Sequence, residues 1–154
     1  MRRLFLAAAF AAISTASLAA GWQSGMVEDE GGPVMQAWVD GDGGDVPPEL
    51  RLMCGDQINV RYSFGSGPGE EGREYPDPLK FDFDFGTETK TLTMQYEEMD
   101  GAFAAYIDTK DPFVALLKSG TGVRVSDPTG TWHDQLFPLQ GSSKAVDAVL
   151  KSCN

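Results

Sequence analysis

Five stretches of this chain carry residue types that can do chemistry. Asp84-Phe85-Gly86, within FDFDFGTETKTLTMQY (81–96), has the letters that place magnesium in protein kinases. That role also needs a glycine-rich loop over ATP, a strand lysine and a His-Arg-Asp loop, none of which the chain contains. Asp82 and Asp84 share one face of an alternating pattern, and two carboxylates fall short of the roughly six to eight oxygens that calcium takes. The favoured reading is a strand with acids on its wet face. DGDGGD, Asp40 to Asp45, alternates acids with glycines like the start of a calcium loop, yet the twelfth position from Asp40 is Arg51 rather than glutamate. A turn is favoured there, with a weak, irregular calcium site on Asp40, Asp42 and Asp45 left open.

GPGEEG, Gly67 to Gly72, fits a dinucleotide-loop spacing by letters only. Glu70 and Glu71 would repel a pyrophosphate, and no helix follows to offer its N-terminus. His133, the only histidine, adjoins Asp134 in TWHDQ, but the chain has no Gly-x-Ser-x-Gly elbow and strand neighbours point to opposite faces. A lone histidine makes no zinc site without other ligands. Cys54 and Cys153 are the only cysteines. An even count in an exported chain argues for one disulfide, with two free thiols as the alternative, and their spacing excludes a Cys-x-x-Cys redox pair. No residue is therefore assigned as catalytic or as a metal ligand, and no cofactor is expected. Trp22, Trp38 and Trp132 fit a core or a covered sheet edge better than a stacking platform.

Export is the strongest signal. MRRLFLAAAFAAISTASLAAGW places two arginines before an apolar run and then small residues, the layout of a secretory leader. The apolar run is shorter than the roughly 20 residues of a spanning helix. Residues 1–19 are expected to be a signal peptide and 20–154 one domain, periplasmic or secreted, with no membrane insertion. Removing Arg2 and Arg3 leaves 10 basic residues against 23 acidic ones, a net charge of −13. Such a surface repels nucleic acid and suits a cationic partner or simple solvation.

The elements that must position these groups are mostly strands. GWQSGMVED and PVMQAWVD flank an EGG turn; LRLMC alternates Leu50, Leu52 and Cys54, and QINVRYSF alternates Ile58, Val60, Tyr62 and Phe64. Phe81, Phe83 and Phe85 are expected to face Leu92, Met94 and Tyr96 across a hairpin turning at 86–90. AFAAYI, GVRVS and the stretch from Leu136 to Leu139 read as further strands. In DPFVALLKSG, Asp111 suits an N-cap, Pro112 the first turn and Gly120 the stop of a short helix. Val146, Val149, Leu150 and Cys153 form one stripe of a terminal helix, with Ser142 or Ser143 as its expected N-cap. That stripe would bring Cys153 to Cys54. The fold expected is mainly β, an antiparallel sandwich or partly open barrel with a short internal helix and a C-terminal helix tied by the disulfide. Residues 65–78, GSGPGEEGREYPDP, read as a long loop, with Glu70, Glu71 and Arg73 as candidate partner contacts.

FPLQGSSKAVDAVLKSC (137–153), taken with LRLMC (50–54), resembles small exported bacterial proteins of the invasion-associated locus B-like and type VI secretion-associated accessory group. The resemblance covers about a fifth of the mature chain and implies a small periplasmic β domain with a terminal helix. It carries no catalytic residues. The function expected is a non-catalytic binding or accessory role through an acidic surface, for example inhibition of a basic enzyme. A small hydrolase with an unmarked carboxylate pair is the competing reading.

Overall fold

A computed structural model describes residues 21–29, 31–43, 45–55, 57–65, 77–130 and 134–153. The expected signal peptide, the expected partner contacts Glu70, Glu71 and Arg73, and Trp132 and His133 lie outside the described residues. The described chain runs β1 (Gln23–Asp29), β2 (Gly32–Asp40), β3 (Glu49–Cys54), β4 (Ile58–Ser63), β5 (Leu79–Asp84), β6 (Thr89–Glu97), β7 (Ala102–Ile107), α1 (Pro112–Ser119), β8 (Gly122–Ser126), β9 (Gln135–Pro138) and α2 (Ser142–Ser152). All nine strands join one antiparallel sheet in the order β1-β2-β3-β4-β7-β6-β5-β8-β9, with β1 and β9 as free ends. The mainly β architecture with two helices is the one expected from the pattern, in its open rather than closed form.

The period-two residues explain how the sheet folds over. Leu50, Leu52, Ile58, Val60, Tyr62, Phe103 and Ile107 fill the inner face of the first half, and Leu79, Phe81, Phe83, Val123, Val125 and Phe137 that of the second. Strand β6 turns the corner, since Thr89–Met94 pairs with β5 while Gln95, Tyr96 and Glu97 pair with β7. Tyr62 on β4 meets Phe81 on β5 and Phe137 on β9 edge-on, with ring centroids 5.2 and 6.1 Å apart. Phe81 also meets Phe103 at 5.0 Å, so strands far apart in the sheet order touch through their inner faces. Such edge-to-face pairs add to burial through the opposed ring quadrupoles.

The β5–β6 register differs in detail from expectation. Leu79 pairs with Met94 and Phe81 with Leu92, while Phe83 lies opposite Lys90 and Tyr96 pairs with Phe103 of β7. The tight Phe85–Glu88 turn, closed by the Phe85 N–H donating to the Glu88 carbonyl at 3.0 Å, sets this offset. Phe83 instead packs its ring on Phe113 of α1 at 5.0 Å.

Helix α1 begins as its sequence suggests, with Asp111 Oδ1 accepting from the Phe113 N–H at 2.8 Å and Pro112 in the first turn. Helix α2 departs from expectation at its start. Its N-cap is Gly141, and Ser142 lies inside the helix as a buried hydroxyl 2.6 Å from the Leu117 carbonyl and 2.7 Å from that of Leu139. Tertiary hydrogen bonding takes Ser142 away from the capping role, because burial makes an unpartnered hydroxyl costly. Val146 and Val149 bury α2 against the sheet, and Cys153, one residue past the helix, bonds to Cys54 with Cα atoms 5.4 Å apart. The disulfide thus ties the end of α2 to the end of β3 across 99 positions of sequence.

Candidate ligand groove on the outer face of the sheet

The inner face of β1–β4 and β7 holds the core and α2, so the alternate residues of those strands form an outer face. Register places Trp38, Arg51, Arg61 and Ala104 in one row across β2, β3, β4 and β7. The next row is Gln36, Met53, Asn59 and Tyr106. Two arginines directly opposite one another repel, so each must be compensated. Arg51 Nε and Nη2 donate to Glu49 Oε1 and Oε2 at 2.7 and 2.8 Å, and its Nη1 donates to Gln36 Oε1 at 3.0 Å. Arg61 Nη2 donates to Glu97 Oε2 at 2.6 Å and lies 3.0 Å from Asp100 Oδ2. Tyr106 then donates its hydroxyl to the other Glu97 oxygen at 3.1 Å.

Beside this ladder the face sinks into a groove of about 500 Å³, lined by Asp29, Val34, Met53, Asn59, Arg61 and Tyr106 among others. A cavity of about 100 Å³ lies between Glu49, Arg51, Arg61 and Asp100, so Arg61 borders both depressions. Small residues help keep the face low: Ala102 and Ala104 of β7 occupy outer-face positions and are buried.

Asn59 is only 6% exposed, yet its Oδ1 has no hydrogen-bond partner, and neither does Nε of Arg61. Nearly all buried polar atoms in folded proteins are paired, so two orphans at residues i and i+2 of one strand are an uncompensated cost at this face. The Tyr106 hydroxyl is held protonated above the ordinary phenol range, first by loss of solvent and then by the charge and hydrogen bond of Glu97. It is therefore a hydrogen-bond donor, not a base, at neutral pH.

Comparison with protein-family models, curated proteins and solved structures gave no match. The groove must be judged on its own geometry.

The residues singled out from sequence are spread over the molecule. Cys54 and Cys153 meet as expected, and Cys54 borders the groove. Asp82 accepts the Thr91 hydroxyl across the β5–β6 hairpin, and Asp84 Oδ1 accepts the Gly86 N–H at 2.8 Å, so both aspartates serve the strand and its turn. Asp40 ends β2, with Asp42 and Asp45 in the connection to β3. Among the described residues no three His, Cys, Asp or Glu side chains are grouped to hold a metal. Trp22 is buried in the core and its indole N–H donates to the Pro138 carbonyl at 3.0 Å.

Sequence reasoning passed over Asn59, Arg61, Arg51 and Gln36, which read as the polar half of ordinary alternating strands. One signal was present. AFAAYI is apolar on both faces, which implies a covered or recessed patch on that strand without saying which residues border it.

Proposed function

We propose that the chain is an exported, non-catalytic binding module whose outer sheet face receives a cationic partner in the periplasm or outside the cell. The observation that carries this reading is the recessed groove on the outer sheet face, lined by Asn59, Arg61 and Tyr106 and bordered by the Arg61–Glu97 and Arg61–Asp100 ion pairs. Binding rather than turnover is favoured because the charged groups Arg51, Arg61, Glu49, Glu97 and Asp100 are held in ion pairs. A fixed array of this kind holds a ligand and leaves no free base to move a proton.

The leader-like N-terminus supports export, and the Cys54–Cys153 bond suits an oxidising compartment. The excess of 23 acidic over 12 basic residues supports a basic partner, since complementary fields speed encounter and exclude anionic competitors. A basic enzyme held in check by this module is one such partner. Affinity capture from a periplasmic extract, at low and at high salt, tests the proposal. A basic protein retained at low salt and released at high salt is expected; hydrolytic turnover of a glycoside or ester by the purified chain would defeat it.

A further inference from the structure

We infer that the free edge of β1 pairs with β1 of a second copy of this chain, giving a two-fold dimer centred on Met26. The inference does not depend on what the groove binds.

Hydrogen-bond parity shows which main-chain groups of β1 face outward. The Gly41 N–H donates to the Pro48 carbonyl at 2.7 Å, so the odd-numbered residues of β2 bond to β3 and the even-numbered ones to β1. Their β1 partners are Gln23, Gly25, Val27 and Asp29, which leaves Ser24, Met26 and Glu28 with N–H and C=O pointing away from the sheet. Trp22 has the same parity, and its N–H indeed turns away from β2 to the Gln140 carbonyl at 2.9 Å. The six outward groups of Ser24, Met26 and Glu28 have no partner among the described residues, and all three residues are exposed. Edges of this kind are normally blunted by proline, lysine, a bulge or short length. At the other end of the sheet β9 has four residues and includes Pro138, whereas β1 has seven and neither proline nor lysine.

The free window is its own complement. It is bounded by the Trp22–Gln140 contact at one end and by the turn into Gly32 at the other, and its midpoint is Met26. Antiparallel pairing about that midpoint sets Ser24 opposite the partner's Glu28 and Met26 opposite the partner's Met26, so all three outward residues of each copy are paired. A slip of two residues either way leaves one of the three without a partner. The central register also places each Glu28 carboxylate opposite a serine hydroxyl rather than a second carboxylate. Met26, 58% exposed in the single chain, is covered by its symmetry mate. Helix α2 lies on the same face, chiefly over β2. Three strand spacings, about 14 Å, separate β2 from its copy, more than the roughly 10–12 Å diameter of a helix, so the two α2 helices clear one another. The two-fold keeps the outer faces on one side, and both grooves open in the same direction.

Each chain carries a formal charge of −11, so the copies repel at long range and salt strengthens the dimer by screening. A basic partner responds to salt in the opposite sense, which separates this inference from the binding reading.

Sedimentation of the oxidised chain from about 0.01 to about 1 mM should show a mean mass rising from monomer towards dimer, further at high salt than at low. Amide exchange at the upper concentration should slow for Ser24, Met26 and Glu28 and not for Gly25 and Val27, which β2 already protects. Met26→Pro removes an outward N–H and spares the β1–β2 ladder, and Met26→Lys sets two ammonium groups opposite each other; each should weaken association about tenfold or more. At high salt Ser24→Lys should strengthen it about two- to tenfold by facing Glu28 twice, whereas Met99→Lys, the same change in net charge at an exposed turn, should leave it as wild type. A chain that stays monomeric at about 1 mM in high salt would overturn the inference. Association unchanged in both Met26→Pro and Met26→Lys, or equal effects of Ser24→Lys and Met99→Lys, would also overturn it. Exchange that slows at Ser24, Met26 and Glu28 only when an extended lysine-containing peptide is added, with the chain alone monomeric, would assign the edge to a basic strand instead of a second copy.

Discussion

Replacing Asn59 by leucine should make the free protein more stable. Asn59 Oδ1 is buried with no partner, and a buried acceptor left unpaired costs about 1–3 kcal/mol. The lower end of that range, about 1 kcal/mol, is the net gain expected from removing the oxygen. Leucine has a similar length, suits a strand better than asparagine, and lies in register with Met53 on β3. For a domain of this size about 1 kcal/mol corresponds to a rise in Tm of roughly 3–5 °C. Urea unfolding of the oxidised chain, followed by tryptophan fluorescence, reads the change directly, and an unchanged m-value shows that the denatured state is the same. Leu52→Ala serves as the contrast. Leu52 is fully buried on the inner face of β3, and its truncation should cost about 2–5 kcal/mol. A loss of stability of about 1 kcal/mol or more in Asn59→Leu would mean that the asparagine is a satisfied structural residue.

Replacing both Cys54 and Cys153 by serine should lower stability by about 4–5 kcal/mol, the chain-entropy value for a loop of roughly 100 residues, measured by the same unfolding assay. Tyr106 contributes to alkaline behaviour. Its pKa is raised from 10.0 in the folded chain, so the unfolded chain loses the proton first and stability falls as pH rises above 10. Tyr106→Phe should therefore lose less stability than wild type between neutral pH and pH 11, as thermal melts across that range would reveal; equal losses would mean the hydroxyl is not perturbed. Asp111→Ala removes the acceptor for the Phe113 N–H and should cost about 1 kcal/mol, with local amide exchange of α1 rising first.

Where alternation carries burial, the sequence was legible. Leu50 and Leu52, Ile58, Val60 and Tyr62, and Phe81 with Phe83 all point inward as their spacing requires, and the two cysteines meet because α2 delivers Cys153 beside the end of β3. The β5–β6 register was less legible, because a short turn at Phe85–Glu88 decides it and several turn lengths suit the same letters. Ser142 looked like a cap because its type caps well, but a long-range contact to Leu117 claims its hydroxyl. The groove was the least legible feature. Arg51 and Arg61 stand 10 positions apart and read as solvated charges until the β3–β4 register sets them side by side. The recess beside them depends on Ala104 of a strand more than 40 positions further along the chain. Such a site is made by cross-strand neighbours, and no local spacing reports it.

The groove's role can be read most directly from the methionine methyl groups of the chain on addition of the captured basic partner. Met53 lines the groove, Met94 is sealed in the core, and Met26 and Met99 are exposed away from the groove lining. At saturation the Met53 methyl signal should shift or broaden while those of Met94 and Met99 stay in place. An unmoved Met53 signal, with Met26 or Met99 responding instead, would contradict partner binding on the outer face.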